Sequence, residues 1–455
     1  MSVSLPSNPD SPKSDASLTQ WLDYMQQIHV SAIDMGLSRV LPVAEHLGIV
    51  QSAKEDTYVF TVAGTNGKGS TTAVISALCQ AAGYKTALYQ SPHLSHFNER
   101  VRINGEMVSD ETLIAAFDKV ESARLQCGLT LSFFEMTTLA ALLIFAEADC
   151  QVWVLEVGLG GRLDVVNIID ADLAVITNIG IDHVDWLGDN VEAIGSEKAG
   201  ILRDNISLIY GATEMPNSVQ QLINQHNASC YQVGIDFSYS VVDENTWQYS
   251  NAAVTLQLPR PALSLTNTAN ALSAVLASPL EVDINAIEKA LTTVKLAGRF
   301  DYREIKDRYW LFDVAHNEQG VEFLLAQLLP FWQQHLIKQA KQNSQSSDNK
   351  QPATIKMLFS MLADKDISMV VQRLTQANLP ISAWFIGEID YPRAASIEQL
   401  KTVLASQVDA SNIHAFADLQ QATAAVIAEA QPQDLIVVCG SFHTIGETLV
   451  ALDVA

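Results

Sequence analysis

A chain of 455 residues is too long for one ordinary core, and with 48% hydrophobic and 17% charged residues it has apolar material for two packed domains, which excludes a mostly disordered protein. The formal net charge of −24, with no Lys/Arg cluster, excludes a nucleic-acid partner, so any anionic ligand must be held by local donors or metal ions. Cys79, Cys127, Cys150, Cys230 and Cys439 lack CxxC spacing, which suggests neither disulfides nor zinc but a reducing, cytoplasmic setting, and the longest apolar run, 139–146, is too short to span a membrane.

Residues 1–17, rich in Ser, Pro and Asp, read as a disordered tail without the apolar stretch of a signal peptide. From 21 to 47, apolar residues recur at three- and four-residue spacing with a break at Gly36, the pattern of two short helices. Residues 58–62 form the first strand-like run. It leads into Gly64-Thr65-Asn66-Gly67-Lys68-Gly69-Ser70, after which 70–82 continue as an Ala-rich helix ending at Gly83. Similar apolar runs at 86–89, 152–157 and 173–177 alternate with helical or loop sequence, indicating a parallel sheet covered on both faces. The pattern pauses at 297–300. A second series then begins at 309–314 and continues at 355–359, 383–386 and 435–438. The expected architecture is α/β: a tail at 1–17, a P-loop-type parallel-sheet ATPase domain at 18–297, and a smaller Rossmann-like α/β domain at 298–455. The polar stretch 339–352 reads as an exposed loop, and no solenoid repeat is present.

Several segments carry chemistry. In the glycine loop, backbone N–H groups can turn inward onto nucleotide phosphates, the next helix adds its positive end, and Lys68 can neutralise the outer phosphates. The spacing departs from G-x-x-x-x-G-K-[ST], because Gly69 separates Lys68 from Ser70. Glu156 stands near the end of a hydrophobic strand, where a lone carboxylate is costly unless paired or bound to a cation, and Mg²⁺ is the economical reading. The glycines after it do not make a dinucleotide fingerprint, since Leu163 occupies the third glycine position. His183, flanked by Asp182 and Asp185 beyond an apolar run, suggests metal binding or catalysis. Read alone, 196–201 (SEKAGI) is a solvated helical turn. In the second series, 313–317 (DVAHN), 361–366 (MLADKD) and 440–444 (GSFHT) each follow an apolar strand with a dense polar loop. That is how a parallel sheet presents a site, with turns capped by Asp, Asn and Ser as the alternative for any one of them.

Taken in order, GTNGKGS (64–70), SPHL (91–94), NERVRING (98–105), EVGLGGRLD (156–164), DHVDWLG (182–188), EKAGI (197–201), GRF (298–300), DVAHN (313–317), DKD (364–366), PRAA (392–395) and GSFHT (440–444) resemble the Mur ligase superfamily. Within it, the resemblance is to the bifunctional dihydrofolate synthase/folylpolyglutamate synthase family, whose loop carries the inserted Gly69. The resemblance implies an ATP-dependent ligase adding L-glutamate to dihydropteroate and to folyl-(poly)glutamates through an acyl phosphate. By position it implies that Thr65, Asn66, Gly67 and Lys68 bind ATP, together with Asn270, Arg299 and Asp313; Asn267 in TNTANAL competes with Asn270. Ser91 and Glu156 would hold one Mg²⁺ and His183 a second, supported by a carbamylated Lys198, so that Lys68, Lys198 and His183 form the catalytic set. Dihydropteroate would meet Ile33, Asp34, Met35, Ser132, Phe133, Phe134, Glu135, Leu163, Asp164 and Val165; L-glutamate would lie near His316 and Ser441. The cofactors implied are ATP and two Mg²⁺ ions, the partners small molecules only, and the chain a monomer.

Overall fold

A computed structural model describes residues 11–12, 16–29, 35–54, 57–343 and 352–454, the side chains of 338–343 excepted. Most of the expected tail lies outside the described residues, as do Ile33 and Asp34. Residue 17 is already structural: the Ser17 hydroxyl accepts the Gln20 N–H and the Gln20 side chain accepts the Ser17 N–H, a capping box that starts helix Leu18–Gln27. The stretch expected as a loop from 339 instead begins as the end of helix Glu318–Asn343, because Gln, Ala and Lys are good helix formers.

The chain divides into two compact units. The first comprises residues up to Pro92, Asn98–Pro261 and Leu265–Val294; the second comprises His93–Phe97, Ala262–Ser264 and the chain from Lys295 onward. In the first, β1 (Tyr58–Ala63), β2 (Thr86–Tyr89), β3 (Val101–Ile103), β4 (Glu106–Met107), β5 (Val152–Glu156), β6 (Leu173–Ile176), β7 (Ser207–Tyr210) and β8 (Ser229–Gln232) form one sheet in the order β4-β3-β2-β5-β1-β6-β7-β8. Strands β2, β5, β1, β6, β7 and β8 are parallel, and every residue of β2, β5 and β6 is buried, as continuous apolar runs require. An antiparallel hairpin, β3–β4, extends the β2 edge. The chain leaves β1 for β2 on one side and leaves neighbouring β5 for β6 on the other. This reversal opens a crevice at the carboxyl ends of β1 and β5, where open α/β sheets bind ligands. The glycine loop follows β1 and Glu156 ends β5.

The sequence series does not anticipate a second sheet in this unit, the antiparallel β9 (Phe237–Val241), β10 (Thr246–Asn251) and β11 (Thr255–Pro259). It buries Trp247 and Tyr249 on one face and leaves polar residues outside.

The second unit holds β12 (Asp301–Ile305), β13 (Arg308–Asp313), β14 (Ile355–Phe359), β15 (Ile381–Ile386), β16 (Ile413–Ala415) and β17 (Leu435–Cys439) in the order β12-β13-β17-β14-β15-β16. All but β12 run parallel. Leu311, Met357 and Val437 enter one apolar layer, while Trp310, Phe312, Leu358 and Val438 enter the other, the period-two alternation of a sheet covered on both faces. Because β13, β17 and β14 are neighbours, the loops at 313–317, 440–444 and 360–366 leave adjacent strands at the same edge. The five cysteines are free, and among the described residues no helix is long and apolar enough to cross a membrane.

Candidate active site

Gly67 caps helix Lys68–Ala81 in the left-handed conformation (φ 85°), and a β-carbon there would overlap Asn267 Oδ1, so only glycine fits. The loop is braced by the residues after β6. The Thr65 N–H donates to the Asn178 carbonyl (3.0 Å), and its hydroxyl is tied to the Gly180 carbonyl and N–H (3.1 and 2.9 Å). Asn178 Oδ1 accepts the Asn66 N–H (3.0 Å), while Thr177 Oγ1 and Asn178 Nδ2 both donate to the Asn66 carbonyl (2.6 and 2.9 Å). Sequence reading passes over Thr177 and Asn178, although a polar pair directly after the apolar run of β6 is the available signal.

Two ammonium groups meet at one point on this loop. Lys68 Nζ and Lys198 Nζ each donate to the Gly64 carbonyl at 3.0 Å, and Lys68 also reaches the Thr65 carbonyl at 3.3 Å. The solvated helical turn that 196–201 could be when read alone does not describe Lys198. Lys198 lies in the last turn of helix Val191–Ala199 and is 5% exposed, because that helix packs its lysine beneath the glycine loop. Burial and the neighbouring Lys68 charge push the Lys198 amine down to about 7.

Strand register fixes the next group. Glu156 pairs with Val62 across β1, and Leu155 pairs with Tyr89 across β2. The 4%-exposed Glu156 carboxylate thus stands between the strand that carries Gly64 and the strand that leads to Ser91. His183 follows the loop-bracing segment. It has φ 52°, its side chain is exposed, its N–H donates to Asp182 Oδ1 at 2.8 Å, and its Nε2 lies 4.0 Å from Asp182 Oδ2. Among the described residues no group of three His, Cys, Asp or Glu could hold a metal by itself. A serine hydroxyl and a buried carboxylate at the phosphate loop nevertheless suit Mg²⁺, a hard cation that uses one or two protein oxygens and completes its shell with phosphate and water.

Met35, Phe134 and the loop after β5 come together: the Phe134 ring lies on Gly158, and Met35 Cε faces Gly160. Phe133, Phe134 and Leu163 are half-buried, whereas Val165 is 4% exposed. Asp164 is a loop-former. Its Oδ2 accepts the N–H groups of Gly158 and Leu159 (2.9 Å each) and its Oδ1 that of Val166 (3.0 Å), while burial raises its carboxyl to about 6. Ser132 and Glu135 form the capping box of helix Phe133–Glu147, and Glu135 Oε1 accepts Arg39 Nη2 at 2.7 Å. Asn270 is wholly buried against Gly211, and neither atom of its amide has a hydrogen-bond partner, the state of a polar group built for one.

In the second unit, Asp313 Oδ2 accepts the Phe300 N–H (2.9 Å) and Oδ1 the Ala315 N–H (3.0 Å); burial raises its carboxyl, opposed by Arg299. The Arg299 guanidinium sits 5.0 Å from the centroid of Phe442. His316 Nδ1 lies 2.7 Å from the Val314 carbonyl, and its ring is 6.5 Å from Phe442. Ser441 caps helix Phe442–Ala451, and Asn317 and Asp366 accept N–H groups at the starts of their own helices, so these side chains do the turn-capping work.

Residues 62–278 match the Mur ligase middle domain, and residues 298–442 match the Mur ligase glutamate ligase domain. The dihydrofolate synthase/folylpolyglutamate synthase of Escherichia coli is 39% identical over 443 residues, which span 97% of either chain. The chain belongs to the dihydrofolate synthase/folylpolyglutamate synthase family of Mur ligases. Its Haemophilus influenzae relative of the same name is 34% identical, with 96% of this chain and 97% of that one covered. Among family structures, E. coli FolC in complex with DHPP and ADP superposes with TM-score 0.85 at 38% identity, covering 97% of this chain and 99% of that one. A bifunctional folylpolyglutamate synthase/dihydrofolate synthase with Mn, AMPPNP and L-glutamate bound gives TM-score 0.85 at 34% identity, covering 98% and 100%.

Proposed function

We propose that this Mur ligase adds L-glutamate to dihydropteroate, forming dihydrofolate, and to folyl-(poly)glutamates, as a cytoplasmic monomer. The observation that carries the reading is the meeting of Lys68 and Lys198 at the Gly64 carbonyl, beside the strand end that holds Glu156. A carboxylate is a poor electrophile. Its oxygen attacks the γ-phosphorus of ATP, the bond from that phosphorus to the bridging oxygen breaks, and ADP leaves. The glutamate amine then attacks the acyl carbon, phosphate departs with the C–O electron pair, and the amine nitrogen loses a proton. Loop N–H groups at 65–68 and the Lys68 ammonium hold the phosphates and offset their growing charge. Asn270, Arg299 and Asp313 hold the nucleotide, while Met35, Phe133, Phe134 and Leu163 hold the pterin acid. His316 and Ser441 hold L-glutamate. Ser91 and Glu156, and separately His183, would hold Mg²⁺, which supplies positive charge to phosphate oxygens.

Lys198 fits a carbamate on physical grounds. An amine brought down to about 7 is largely neutral under mildly alkaline conditions and can attack CO₂, forming an N–C bond and releasing a proton. The product is anionic, so repulsion between two ammonium groups becomes attraction. Protein incubated with ¹³C-bicarbonate should show a carbamate carbon signal that Lys198→Ala lacks. Purified protein given MgATP, dihydropteroate and L-glutamate in bicarbonate buffer should yield dihydrofolate and ADP by mass over many turnovers; without dihydropteroate neither product forms, and without L-glutamate no dihydrofolate forms and ADP stops at about one equivalent of enzyme. ADP turnover without dihydropteroate, or no dihydrofolate in the full mixture, overturns the ligase reading in favour of a nucleotide-driven switch.

A further inference from the structure

Arg100 takes no part in the steps above. It closes the turn Phe97–Arg100, and its carbonyl accepts the Gln90 N–H at 3.0 Å, which fixes it beside the residue that precedes Ser91. Its guanidinium carbon lies 6.0 Å from the centroid of Phe133. The same guanidinium hydrogen-bonds the Tyr89 side chain and is drawn by the charges of Glu99 and Glu156. Tyr89 is wholly buried and its hydroxyl is tied to Thr138 Oγ1 at 2.8 Å, so it is a rigid support. One cation therefore stands beside the aromatic side chain assigned to the pterin acid and within the electrostatic influence of the carboxylate assigned to the metal.

We propose that Arg100 binds the acceptor carboxylate that is to be phosphorylated and orients it toward the γ-phosphate. The proposal rests on the ligase reading. An acid that must approach an anionic nucleotide needs a fixed positive charge, and a planar guanidinium matches both carboxylate oxygens in a way an ammonium does not. Contact with Phe133 fixes the plane of the fork. The competing role, neutralising Glu156 alone, would not make binding depend on whether the ligand carries a carboxylate.

The test is equilibrium binding, by titration calorimetry, of dihydropteroate and of the same pterin with its carboxyl replaced by hydrogen. Wild type should prefer the acid by about 10- to 100-fold, the range of a charge-assisted pair. Arg100→Ala should bind both alike, Arg100→Lys should recover part of the preference, and ADP binding should stay within about twofold. Arg100→Gln serves if the alanine variant does not fold. Unchanged preference in the Ala or Gln variant, or equal weakening of both ligands, overturns the proposal while wild-type dihydrofolate synthesis keeps the ligase reading intact. A wild type that makes no dihydrofolate overturns both.

Discussion

Lys198 illustrates how one residue's environment decides its chemistry. Folded, it loses its proton near pH 7; unfolded, near the ordinary 10.5. Between those values the unfolded chain carries more protons, so this contribution to stability is complete above 10.5 and is lost as pH falls toward 7. Replacing Lys198 with Met removes the dependence. In bicarbonate-free buffer, the stability difference between wild type and Lys198→Met, from urea midpoints, should shift toward wild type by up to about 1.4 kcal/mol per pH unit as pH rises from 7 to 10. A flat difference would mean that the amine is solvated. Asp164 has the opposite sign. With its carboxyl raised from 3.8 to about 6, its titration favours the fold below 3.8 and withdraws that favour as pH rises to about 6. Its carboxylate still gathers three N–H donors that Asn cannot all satisfy, so Asp164→Asn should cost about 2 kcal/mol at pH 7 by urea unfolding.

At the scale of elements, helix Phe133–Glu147 poses a choice between a cap and a ligand contact. The Ser132 hydroxyl accepts the Glu135 N–H, and Glu135 Oε2 accepts the Ser132 N–H at 2.6 Å. Ser132→Ala should therefore lower stability by about 1 kcal/mol and leave the KM for dihydropteroate within about twofold; a rise of tenfold or more would give the hydroxyl a ligand-binding role. The S-x-x-E spacing of 132–135 is legible as a capping box, yet the same letters carry the family resemblance, and spacing cannot apportion the two roles. The buried parallel strands are legible because residues such as 152–155 and 435–439 are apolar without interruption. Strands β3, β4, β12 and β16 are not, since β3, β4 and β16 have three residues or fewer and all four are largely exposed or half-buried at or near a sheet edge. The β9–β11 sheet alternates in and out, with Trp247 and Tyr249 inward, but polar outward residues make its strands resemble loops. Lys198 shows the remaining limit: nothing in 196–201 reveals that the glycine loop lies over it.

At the scale of the whole chain, the two compact units do not follow sequence order, because His93–Phe97, deep in the first half, belongs with the chain after Lys295. Leu94 shows why. Its Cδ1 would meet a β-carbon at Gly298 at 3.1 Å, its carbonyl would overlap one at Gly446, and its side chain packs against the apolar layer that contains Val314 and Ile445. Glycine at 446 is therefore required by the close approach of another backbone, a contact between segments remote in sequence that no local pattern announces. Leu94 acts as a plug in the second unit although the chain on either side of its segment, up to Pro92 and from Asn98, belongs to the first. Leu94→Ala should remove about 2 kcal/mol from the second unit, since a half-buried leucine loses contacts that its neighbours only partly refill. Native-state hydrogen exchange separates this from a general loss. Amides of helix Phe442–Ala451 should exchange about thirtyfold faster, while those of helix Lys68–Ala81 keep their protection, because ~2 kcal/mol of opening free energy corresponds to that factor where exchange follows unit unfolding. Equal acceleration in both helices would mean that the two units unfold as one and that Leu94 supports the whole chain.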